Sequence, residues 1–191
     1  MVLRAGPVWL CTNPRKEKEI EDNTMANVQT VRLKPNPSGK DRTRRGGATA
    51  TQLGGEWADI QNVSAKPVNM DNVTLEHVAY NADGRASRWE QVMSFKGILR
   101  PKQVVRIHAG SGPESVLLPV DKNGADIHLF TGGNYVWNND KSDCASLFAS
   151  GQPQPFDKAC YAANPPEGVV LKRGGDSLVS VTSTTTASAR R

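Results

Sequence analysis

No stretch of this 191-residue sequence approaches the roughly 20 consecutive apolar residues that cross a bilayer as a helix, so a transmembrane helix is excluded. Sustained helical amphipathicity is missing, as are heptads, which removes helical bundles and coiled-coil rods. Aromatics make up only 6% of the chain, and its three cysteines are an odd count from which no closed disulfide framework follows. His77, His108 and His128 stand apart in sequence, none in a zinc spacing with cysteine or another histidine. There is no Gly-x-Ser-x-Gly elbow, phosphate loop or dinucleotide fingerprint, and Gly110-Ser111-Gly112-Pro113 opens no helix that would receive a phosphate. The expectation is a non-enzymatic protein with no catalytic residues, no metal and no cofactor.

What is present is uneven charge. Residues 1–55 hold ten Lys or Arg against five acids, whereas residues 56–191 hold fourteen of each, so the net charge of +5 sits entirely on the N-terminal part. From Thr12 to about Gly55 apolar periodicity is absent, apart from Val28–Leu33, which alternates like a short strand. With so little apolar surface to bury, residues 1–54 are expected to form a flexible basic arm, in which Val28–Leu33 could still serve as an edge strand added to its own sandwich or exchanged with a neighbour. Arg4, Gly6 and Pro7 interrupt the first apolar residues and Pro14-Arg15-Lys16 follows early, which argues against a secretory signal and for a cytoplasmic rather than exported protein. Thr24-Met25 offers a second start, in which case residues 1–24 are an upstream extension.

From Glu56 the pattern becomes short β-type runs separated by Gly, Pro, Asn and Asp turns about every ten residues, the rhythm of a sandwich or barrel. Strands are predicted near Glu56–Val63, Val73–Tyr80, Trp89–Ser94, Val104–His108, Ile127–Phe130, Cys144–Phe148, Ala159–Tyr161, Val169–Leu171 and Ser177–Val181. Their inward sets should be Ala58 and Ile60, Val73 and Leu75, Val105 and Ile107, Ile127 and Leu129, and Ala145 and Leu147. The prediction is an all-β sandwich over residues 55–179, followed by a disordered Ser/Thr-rich tail over residues 180–191.

Four segments carry a family resemblance: Glu56-Trp57-Ala58-Asp59-Ile60-Gln61-Asn62-Val63-Ser64 with Lys66-Pro67-Val68-Asn69-Met70; Leu99-Arg100-Pro101-Lys102-Gln103-Val104-Val105-Arg106-Ile107; His108-Ala109-Gly110-Ser111-Gly112; and Val136-Trp137-Asn138-Asn139 with Asp143 and Leu147. In order and spacing they resemble the lamin tail domain, in its stand-alone bacterial-type form, over about residues 55–162. The chain departs from that family in having Asn72-Val73 where Gly-Trp is usual, and it has no rod. The resemblance implies an immunoglobulin-like sandwich, a place for Trp137 in the core, and a scaffold that binds proteins or chromatin without catalysis. A fold licenses no particular activity by itself.

Individual residues suggest three kinds of contact. Lys40, Arg42, Arg44 and Arg45 could neutralise phosphates, and a basic segment over residues 28–47 beside a neutral domain is a route to nucleic-acid binding, although a solvated linker has the same composition. Trp57, Trp89 and Tyr135 could form an interaction surface if exposed together. Asn134, Asn138, Asn139, Asp140 and Asp143 concentrate oxygen donors, but turn chemistry accounts for them without a cation. Cys144 and Cys160 flank a hairpin turn near Gln152 and are expected to be reduced and packed, with a disulfide as the alternative in an oxidising compartment. The leading functional expectation is a protein-interaction scaffold. The alternatives are a nucleic-acid-associated protein and an exported module binding carbohydrate or an envelope partner.

Overall fold

Alternating apolar residues become strands wherever a second layer can cover them. In a computed structural model of the chain, which describes residues 27–39 and 46–180, twelve strands form. They are β1 (Val28–Lys34), β2 (Trp57–Asn62), β3 (Val68–Asn69), β4 (Val73–Tyr80), β5 (Ala86–Ser94), β6 (Ile98–Leu99), β7 (Val104–His108), β8 (Ile127–Phe130), β9 (Asp143–Ala149), β10 (Asp157–Tyr161), β11 (Leu171–Gly174) and β12 (Ser177–Ser180). Two short helices, α1 (Ala50–Gly54) and α2 (Pro119–Lys122), complete the described elements with a 3-10 turn at Glu114–Val116.

Ten strands form one sheet in the order β5-β4-β9-β10-β12-β11-β1-β2-β7-β8, and β3 pairs with β6 alone. The sheet curls until its halves face each other. Thr30 Oγ1 on β1 donates to the Ala145 carbonyl on β9 at 3.2 Å, although the two strands are not neighbours in the sheet. Between the halves lie Val28, Leu33, Ala58, Ile60 and Ile107 on one side and Val73, Leu75, Ala145, Leu147 and Ala159 on the other, all buried. The result is the expected all-β, sandwich-like architecture.

The N-terminal boundary at residue 55 is corrected by β1. This strand lies inside the sheet between β11 and β2, with Val28 and Leu33 fully buried. Alone its few apolar residues cannot offset their ordering entropy; paired on both sides they need not do so alone. The pairing of β1 with β11 covers only Arg32 and Leu33, so Thr30, paired with Ile60 on β2, has no strand partner toward β11. Side chains fill the gap: the Thr30 amide donates to Asp157 Oδ2 at 2.8 Å, and its carbonyl accepts from Arg173 Nη1 at 3.1 Å. Burial pushes the Asp157 carboxyl up, against the pull of the Thr30 amide and of Arg173. After β1, irregular backbone is pinned by the Asn36 side chain on the Pro165 carbonyl and by the Gly168 amide on the Asn36 carbonyl.

α1 was not anticipated, although Thr49 and Gln52 spell a capping box: the Gln52 amide donates to Thr49 Oγ1 at 3.2 Å and the Thr49 amide to Gln52 Oε1 at 2.7 Å. β7 and β8 run parallel, so the chain between them must cross over. That crossover carries the 3-10 turn and α2, and its Asp121 reaches onto the face of β1 and β2 that points away from the main core.

Candidate functional site

Charge is concentrated on this second face. Asp59 on β2 is fully buried and accepts from Arg106 on both oxygens, at 2.6 and 2.8 Å, while Arg32 Nε lies 2.7 Å from Oδ2. Asp121 Oδ1 accepts from Lys34 Nζ at 2.5 Å and from Trp57 Nε1 at 2.9 Å. The Arg106 guanidinium sits 3.5 Å over the Trp57 ring and donates to the Asp121 and Asn123 carbonyls. Next along β7, His108 Nδ1 lies 2.6 Å from the Gly54 carbonyl and Nε2 lies 2.9 Å from His128 Nδ1. A carbonyl only accepts, so Nδ1 of His108 carries its proton; burial, with smaller contributions from His128 and Arg106, holds its pKa down at about 4. These charges clamp the crossover onto the sheet, and their polar atoms are engaged by one another.

Two other buried carboxylates fix the loop after β8. Glu56 accepts from the Val136 amide at 2.8 Å and the Trp137 amide at 3.1 Å. Asp143 Oδ1 takes the Val78 and Cys144 amides, and its Oδ2 takes the Asn138 amide and side chain and faces His77 Nδ1 at 3.1 Å. Asn138 and Asp143 are thus occupied by turn construction. No group of three or more His, Cys, Asp or Glu side chains suited to a metal occurs among the described residues. Trp137 is buried edge-on to His77, and the phenol of Tyr161, pushed far up by burial, donates to the Asn138 carbonyl at 2.7 Å.

What these networks leave open is the line where the curled sheet ends. β5 and β8 are its terminal strands, each paired on one side only among the described residues. Seven antiparallel and two parallel steps separate them in the sheet order, so they run antiparallel to each other. The concavities between them agree. One, of 420 Å³, brings Met93 and Phe95 together with Ile127 and Leu129 over Met70 and Leu99. The other, of 720 Å³, brings Arg88, Glu90 and Gln91 together with Thr131, Asn134 and Tyr135. Residues rising along β5 therefore meet residues falling along β8 and the loop beyond it, the order required of antiparallel neighbours. The first half of the cleft is apolar and the second polar. Ile127, expected inside, is 36% exposed and Leu129 is half-buried, whereas the other eight inward residues are fully or almost fully buried. Ile98, at the rim of the apolar half, is 59% exposed.

The chain matches no family model and no curated protein. Neither comparison identifies a lamin tail domain, and the residues that suggested one lie in β2 and β3, in the β6–β7 segment, at the end of β7 and the loop after it, and in the loop before β9 and in β9 itself.

The residues singled out from sequence do not converge. Lys40, Arg42, Arg44 and Arg45 lie outside the described residues. Trp57 is buried beneath Arg106, and Trp89 packs edge-to-face on Phe148 with ring centroids 5.3 Å apart, so the three aromatics form no common surface. Tyr135 alone of the three lines the cleft. Cys144 and Cys160 face each other across the β9–β10 pair and are joined as a disulfide with Cα atoms 4.0 Å apart, which corrects the expectation of reduced thiols. Direct cross-strand register brings the sulfurs together, as a turn centred near Gln152 requires. Sequence reasoning missed the cleft because its inward pattern on β8 resembles that of a fully covered strand.

Proposed function

We propose that this chain is a non-catalytic binding module of lamin-tail-like type that engages a protein partner along the cleft between β5 and β8. The observation that supports this reading is the exposure of Ile98 and Ile127 beside a Met-lined apolar concavity, at the point where two strand edges lack partners among the described residues. Unpaired edges bind extended segments through backbone hydrogen bonds, and methionine adapts to varied apolar side chains. The charged groups of β5 guard only its polar half, where Arg88 pairs with Glu90 at 3.2 Å. Selection of a random displayed-peptide library on the immobilised full chain tests the reading. Enriched peptides should carry apolar residues and lose binding to Ile127→Lys; failure to enrich, or binding indifferent to that change, refutes it.

The Cys144–Cys160 bond favours a second reading of where the module works, as an exported protein meeting an envelope partner. Alkylation of protein taken directly from its native cells decides: the two thiols react only after reduction if it is exported, and without reduction if it is cytoplasmic.

A further inference from the structure

The cleft reading can be taken further, to the kind of segment that fills it. We infer that the cleft accepts one extended strand, hydrogen-bonded to β5 and β8 at once, whose inward side chains are apolar at alternate positions and which places an acidic side chain beside Lys96. This inference rests on the proposed binding module and adds direction, period and charge to it.

Direction follows from topology. β5 and β8 run antiparallel, so a single strand between them is parallel to one and antiparallel to the other. The sheet already holds both kinds of pairing, with β7/β8 and β10/β12 parallel and the rest antiparallel. An inserted strand would close the curl and supply partners to both edges.

Period follows from the pleat. Successive side chains of a strand point to opposite faces, so alternate residues of the occupant would enter the concavity over Met70, Leu99 and Val105 while those between face water. The exposed Ile127 would be covered in the same step.

Charge follows from an imbalance at the apolar half. Among the described residues Lys96 is the only charged one lining it, and it makes no ion pair or side-chain hydrogen bond there. Two carboxylates near that end are committed to backbone: Asp71 accepts from the Gly97 amide at 2.7 Å and Asp126 from the Val104 amide at 2.7 Å. An arriving acidic side chain therefore meets an unpaired cation, and an arriving lysine meets repulsion.

The test uses the full chain and two fluorescent octapeptides, acetylated and amidated to remove terminal charge, of alternating valine and threonine with aspartate or lysine near the end. The aspartate peptide should bind about fivefold or more tightly than the lysine peptide, and Lys96→Glu, at an exposed site, should reverse that order. Hydrogen exchange should show new protection in both β5 and β8. Equal binding of the two peptides overturns the acidic contact and leaves the binding module standing. Protection of a single edge overturns insertion. Failure of both peptides to bind while library peptides still do overturns the inference but not the module, and sedimentation showing dimers blocked by Ile127→Lys assigns the cleft to a second copy and overturns it too.

Discussion

Asp59 has no exposed surface and holds two guanidinium groups, Arg106 through both oxygens and Arg32 through one. Removing its charge strands Arg106, itself 1% exposed, without a counterion. Breaking such a buried pair typically costs about 3–5 kcal/mol, so Asp59→Asn should lower the stability measured in urea by that order. His108 gives the molecule a defined acid response. Its pKa is about 4 in the folded chain against 6.5 for a free imidazole, so between those values the unfolded chain binds a proton that the folded chain refuses. Above pH 6.5 this group adds no pH dependence; below it stability falls, and the loss reaches about 3 kcal/mol by pH 4. Urea midpoints across that range check this, and His108→Asn, which keeps a donor toward the Gly54 carbonyl, should flatten the slope.

Among the elements, β1 is the one whose removal should matter most. A chain beginning at Gly55 loses the strand between β11 and β2, exposing the buried faces of Ile60 and Leu171, and should show no cooperative unfolding by near-ultraviolet circular dichroism. The β9–β10 pair is held differently, by a disulfide closing a separation of 16 residues. Reducing it should cost about 2–4 kcal/mol in urea unfolding, the usual contribution of such a closure. The elements were unequally legible in the sequence. β4, β7 and β8 match their predicted bounds because turn residues flank clear alternation, as with Asn81–Gly84 after Tyr80. β1 was visible as an alternation that could join its own sandwich or a neighbour's, but its place inside the sheet was not legible, since one of its two partners, β11, lies 140 residues away. Asp59 and Asp121 carry no local sign of being buried: Asp59 meets Arg32 and Arg106 only across its pairings with β1 and β7, and the crossover alone brings Asp121 to Lys34 and Trp57. The cleft, likewise, is a property of where the sheet stops.

For the molecule as a whole, an open curl predicts graded protection: amides of β1, β2 and β9, paired on both sides, should exchange far more slowly than the outward amides of β5 and β8. The same arrangement sets an order of events during synthesis. Arg32 in β1 pairs with Lys172 in β11, so the earliest of the described strands to leave the ribosome waits for residues made 140 positions later. At about 5–20 residues per second that is roughly 7–28 s with one side of β1 uncovered. β2 follows soon after and shields the other side, but an exposed edge persists until the C-terminal hairpin arrives. Translation speed therefore bears on yield: slowing elongation before codon 172 should raise the fraction lost to aggregation, and a chaperone that covers a nascent strand should restore it.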